Sequence, residues 1–68
     1  MEKKDGIYKE YYKEGQLAGK GMYKDGKEEG VYEEYYKDGQ LQMKGTYKNG
    51  KQDGVWEWYE DGQVWMKR

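Results

Sequence analysis

A unit of 24 residues is written twice in this chain and begun a third time, which limits the chain to a repeat architecture. Residues 6–29 read GIYKEYYKEGQLAGKGMYKDGKEE and residues 30–53 read GVYEEYYKDGQLQMKGTYKNGKQD, identical at 15 of 24 positions. Most of the other positions exchange Ile for Val, Glu for Asp, Asp for Asn or Glu for Gln. Residues 54–68, GVWEWYEDGQVWMKR, form a third copy that stops before its second half. The opening MEKKD resembles the tail of a preceding copy. Residues 1–68 therefore read as one repeat domain.

Each copy holds two strands. The first, at 7–12, 31–36 and 55–59, is rich in β-branched and aromatic residues. Glu14-Gly15, Asp38-Gly39 and Asp61-Gly62 follow, where glycine supplies the positive φ of a tight hairpin. In the second strand, Leu17, Gly19, Gly21 and Tyr23 alternate onto one face, as do Leu41, Met43, Gly45 and Tyr47. Looser turns are expected at Asp25-Gly26 and Asn49-Gly50. Eleven punctuating glycines and a period of two disfavour helix. The expected fold is all-β, an antiparallel meander of hairpins with about six strands in a single twisted sheet.

Two registers fit. The third copy lacks one residue before its turn. A three-residue loop with a glycine bulge in copies one and two, and a two-residue loop in copy three, absorbs the loss. Tyr11, Tyr35 and Tyr59 then face Leu17, Leu41 and Val64. Two-residue loops throughout instead set Tyr12 and Tyr36 against those leucines, with Tyr8 over Gly21 and Tyr32 over Gly45. A one-residue slip exchanges the faces.

A charged fraction of 40% against 34% hydrophobic suggests disorder, but nine Tyr and three Trp supply rings for one core layer. Cysteine is absent, so no disulfide or thiolate metal site is expected. No apolar run has the length of a signal peptide or a membrane span, and a natural, full-length chain is expected in the cytoplasm. Net charge is −1, which favours neither nucleic acid nor an anionic membrane. Lys20, Lys44 and Lys67 are equivalent, and acids on the neighbouring strands suit cross-strand pairing better than anion binding.

The segments GMYKDGKEEG and GTYKNGKQDG, continued by GVYEEYYKDGQL and GVWEWYEDGQV, resemble MORN repeats, most closely a bacterial antitoxin-like variant. The resemblance implies a β-hairpin unit with Gly21, Gly30, Gly45 and Gly54 as structural glycines. It also makes Tyr8, Tyr32 and Trp56 the ring that opens each hairpin. Departures are Tyr for Trp in copies one and two, and Gly19 and Met43 where an aromatic is usual. MORN arrays act as scaffolds, membrane-linking modules and protein-binding platforms. A membrane role fits poorly, because Arg68 is the single Arg and acids offset the lysines. The absence of Pro, Ser, His, Cys and Phe also suits a designed or consensus scaffold with no natural ligand.

Catalysis fails on inventory. Without Ser, Cys or His there is no ordinary nucleophile–base pair, and Thr46 is the one aliphatic hydroxyl. No cofactor or metal is expected. Trp56, Trp58 and Trp65 concentrate in the last hairpin, where a two-residue turn sets Trp58 opposite Trp65. This hairpin is the candidate interface for a protein partner or for self-association, beside an edge strand guarded by Lys67 and Arg68.

Overall fold

The computed structural model describes residues 5–68. Met1–Lys4, most of the segment expected to be the tail of a preceding copy, lie outside the described residues. The chain folds as one antiparallel sheet with strands β1 Gly6–Tyr11, β2 Leu17–Lys24, β3 Lys27–Glu28, β4 Gly30–Tyr35, β5 Leu41–Lys48, β6 Lys51–Glu60 and β7 Gln63–Lys67. Their order is β1-β2-β4-β5-β6-β7, with β3 paired to β2. The expected meander is present, with seven strands rather than about six. The extra strand arises where the chain breaks at Glu29, whose N–H bonds to the Met22 carbonyl. Gly30 then turns at φ +94°. In the next copy the same stretch runs on unbroken as the start of β6.

Loop lengths follow the glycines. The Tyr12 N–H donates to the Gln16 carbonyl, and the Gly15 N–H to that of Tyr12, closing a three-residue loop. Tyr36, Gly39 and Gln40 repeat the arrangement. Glu60 pairs directly with Gln63 across Asp61 (φ 52°) and Gly62 (φ 78°), a two-residue turn with two left-handed residues. The turns at Asp25-Gly26 and Asn49-Gly50 are not looser, as expected from sequence, but of this same tight kind. Lys24 pairs with Lys27, and Lys48 with Lys51.

The two registers are both present, in different parts of each of the first two hairpins. Tyr11 faces Leu17 near the turn, but Glu10 faces Gly19 and Tyr8 faces Gly21 farther on. The extra residue is Ala18, bulged from β2. Tyr35–Leu41 and Tyr32–Gly45 repeat the pattern around Gln42, and Tyr59–Val64 and Trp58–Met66 around Trp65. The bulge also moves Leu17 and Leu41 off the face that Gly21, Tyr23, Gly45 and Tyr47 share, correcting the simple alternation.

One face, the ring face, carries the core. Tyr8 lies 4.8 Å from Tyr23 between ring centroids. Trp56 lies 5.0 Å from Tyr47 and 6.0 Å from Tyr32. Trp56 is 2% exposed, and among the described residues it is the one hydrophobic side chain that is fully buried. Its indole N–H donates to the Thr46 carbonyl at 3.2 Å.

Tyrosine hydroxyls tie one copy to the next. Tyr12 donates to the Tyr35 carbonyl at 2.6 Å, and Tyr36 to the Tyr59 carbonyl at 2.7 Å. Removing either hydroxyl strands a part-buried carbonyl. Tyr36→Phe should therefore lower unfolding stability by about 1 kcal/mol, read from the urea midpoint. Tyr11→Phe is the control, its ring being 60% exposed. Equal effects from the two would remove any role for the bridging bond.

Candidate interaction surface

The face opposite the rings, the back face, is ordered in three rows that run across the strands. The outer row opens each copy with Ile7, Val31 and Val55, exposed by 67%, 48% and 63%, and Ile7 faces the exposed Met22. The opposite row holds the pairs Tyr11–Leu17, Tyr35–Leu41 and Tyr59–Val64. Between them the register sets Lys9, Lys20, Glu33, Lys44, Glu57 and Lys67 side by side, one from each long strand.

This middle row is a charge ladder. Lys20 Nζ lies 3.7 Å from Glu33 Oε1, and Lys67 Nζ lies 3.4 Å from Glu57 Oε2. Tyr35 and Tyr59 add hydroxyl donors, each to the acid two residues earlier on its own strand, at 2.9 Å. The Tyr59 hydroxyl, then Lys67 and Lys44, hold the Glu57 carboxyl below its ordinary value. Burial, then the bond to Glu33, pushes the Tyr35 hydroxyl up. The equivalent lysines thus meet acids on neighbouring strands, the arrangement that fixes register.

The ring face handles its polar groups differently. Tyr8 donates to Glu28 Oε1 at 2.6 Å and Tyr32 to Glu34 Oε2 at 2.8 Å. Burial, followed by these bonds to carboxylates, pushes both hydroxyls well above the ordinary tyrosine value. Such groups keep their protons at neutral pH and act as fixed donors.

The three tryptophans of the last hairpin do not form one patch. Trp56, expected there with Trp58 and Trp65, is the core ring, because its strand lays it over Gly45. Trp58 is half-buried and faces Met43 on one side and Met66 on the other. It does not face Trp65, because Trp65 is the bulged residue of β7. Trp65 is 56% exposed, next to the 41% exposed Val64. Of the glycines, Gly45 and Gly21 lie under rings, those of Trp56 and Tyr8. Gly30 and Gly54 turn with positive φ where one copy passes into the next. The row of Ile7, Val31 and Val55 was not singled out from sequence. Its signal was the β-branched residue that follows the first glycine of every copy.

Comparison with known families gives two matches. Residues 4–25 and 28–49 each match the family model described as the MORN repeat variant, 24 residues apart. No curated protein and no solved structure matches the chain.

Proposed function

The chain belongs to the MORN repeat variant family, a non-catalytic repeat type that generally binds proteins or membranes, and from that premise we propose a non-catalytic scaffold that binds protein through its back face. One observation carries the reading. The sheet is a single layer, 41 × 31 × 11 Å, that buries Trp56 on one face and leaves large apolar side chains exposed on the other. Rows of exposed apolar groups on either side of a charged row are the composition of a contact surface. A protein suits this face better than a lipid surface, because acids and lysines alternate along its middle row from Lys20 to Lys67 and the net charge is −1. Nucleic acid is disfavoured on the same ground. Val64, with the exposed Trp65 beside it on β7, is its C-terminal anchor, and the contact is made with another protein or with a second copy.

An antitoxin-like protein that binds a toxin is the special case of this reading that a neighbouring toxin gene would support. A designed or consensus scaffold would carry the same face with no partner.

The test replaces Trp65, and in a second sample the exposed turn residue Lys13, with a photoreactive phenylalanine. Cross-linked adducts from position 65 and not from position 13 are expected. Adducts from both positions, or from neither, would end the reading. Trp65→Glu should weaken the captured contact about 30-fold or more, the scale of an aromatic hot spot, with the β spectrum unchanged.

A further inference from the structure

Inside the sheet, one copy joins the next in the same way each time. The outer edge of β4 takes β2, with Glu33 opposite Lys20, and the outer edge of β6 takes β5, with Glu57 opposite Lys44. β1 opens its hairpin as β4 and β6 open theirs, and it lies at the end of the strand order. Its outer edge is therefore the surface that accepts a neighbour elsewhere in the sheet. β7 lies at the other end and corresponds to β2 and β5, so by geometry it would fit the β1 edge of a second copy.

Charge opposes that fit. Where β4 and β6 carry Glu33 and Glu57, β1 carries Lys9. β7 carries Lys67 in the row of Lys20 and Lys44. Head-to-tail pairing of two copies would set Lys67 directly opposite Lys9, and like charges directly opposite destabilise a pair. Other edge pairings give no relief. On the back face β1 offers Ile7, Lys9 and Tyr11, and β7 offers Val64 and Lys67, with no carboxylate in either set. Lysine on an edge strand is a recognised guard against such association.

The row also shows what is missing at β1. Tyr35 and Tyr59 each donate to an acid of the row. Tyr11, their counterpart, has Lys9 two residues before it instead of a glutamate and is 60% exposed. A carboxylate delivered from outside opposite Lys9 would supply the absent acid and lie diagonal to the Tyr11 hydroxyl.

We propose that the outer edge of β1 accepts, by strand addition, an extended segment of another protein that sets a carboxylate opposite Lys9, and that the same lysine turns away β7 of a second copy. This edge is distinct from Trp65, which lies on β7 at the other end of the strand order.

Two peptides test it. One copies residues 40–48, the strand type that the interior edges accept, and the other is the same peptide with Lys44→Glu. Binding of each, labelled, is measured by fluorescence anisotropy against the parent chain and against Lys9→Glu. The glutamate peptide should bind the parent about tenfold tighter than the lysine peptide, and Lys9→Glu should reverse the order. Lys9→Gln, which removes charge without inverting it, should erase the preference and serves if Lys9→Glu misfolds. The same order in every chain, or binding of neither peptide to the parent, overturns the proposal. Trp65 takes no part in this experiment, so its failure is separable from failure of the contact face.

Discussion

Gly45→Val should unfold this protein or cost it about 3–5 kcal/mol, the largest loss expected from any single substitution. A Cβ at Gly45 would overlap the Trp56 indole, meeting its Cδ2, Cε2 and Cε3 far inside van der Waals contact. The ring has little freedom to retreat. It rests against Tyr47 and Tyr32, its N–H is bonded to the Thr46 carbonyl, and its backbone is paired both ways with Arg68. Valine must therefore expel Trp56, the one fully buried side chain among the described residues. Lys44→Glu is the comparison, one residue away and on the opposite face. It places a third acid between Glu33 and Glu57, an exposed rearrangement that costs about 1 kcal/mol. Gly21→Val should fall between the two. There the added carbon meets Tyr8 at 2.6 Å, but Tyr8 stands on the edge strand and has room to swing outward. Urea midpoints in the order Lys44→Glu, Gly21→Val, Gly45→Val, from mild to severe, are the expected result. Small and equal shifts would mean that the ring over Gly45 does not hold the sheet together.

The reason this position stands out was partly legible in the sequence. A period of two placed Gly45 on the face of Tyr47, and the register with Tyr32 opposite Gly45 suggested a ring over it. The covering ring comes instead from Trp56 in the next copy, across the junction marked by Gly54. Nothing local predicts that reach, since it depends on how β6 meets β5 around a shift in register between Lys44 and Thr46. The bulge was hidden for a similar reason. Ala18, Gln42 and Trp65 share no chemistry, so the position that turns one face into the other leaves no mark on composition. Two incompatible registers were readable for the first two hairpins, and the bulge makes each right for half of both. The same blind spot explains the last hairpin. Counting from the Asp61-Gly62 turn sets Trp58 opposite Trp65, and the bulge displaces that pairing to Met66. The charge ladder fared better, because Lys20, Lys44 and Lys67 sit at equivalent positions with acids on neighbouring strands. Only its break at Lys9 needed the sheet order to acquire meaning.

Alkali should unfold the chain from about pH 10 upward, with Tyr8, Tyr32, Tyr35 and Tyr47 ionising as the sheet is lost and not before. Burial is the first cause that raises the hydroxyls of Tyr8, Tyr32, Tyr35 and Tyr47 above the ordinary value of 10.0. For Tyr8 and Tyr32 the next cause is a hydrogen bond to Glu28 and Glu34, which would be lost against a phenolate. The folded chain thus holds these protons more tightly than the unfolded chain. Above the unfolded value the native state binds more protons, so stability falls as pH rises, and below that value the contribution is fully present. The ceiling on the slope is about 1.4 kcal/mol per pH unit for each tyrosine, and solvent screening of these half-buried hydroxyls keeps the loss below it. Lysines titrate nearby, at about 10.4, but exposed pairs such as Lys20–Glu33 contribute about 0–1 kcal/mol each. Tyrosinate absorbance separates the two, since lysine gives none. Followed with the β circular dichroism signal, the part contributed by Tyr8, Tyr32, Tyr35 and Tyr47 should coincide with unfolding. Tyr8→Phe and Tyr32→Phe should each flatten the pH dependence above pH 10, as measured by the urea midpoint. A full tyrosinate signal while the β spectrum stays intact would mean that these hydroxyls are open to solvent, and the bonds to Glu28 and Glu34 would then carry no weight in the fold.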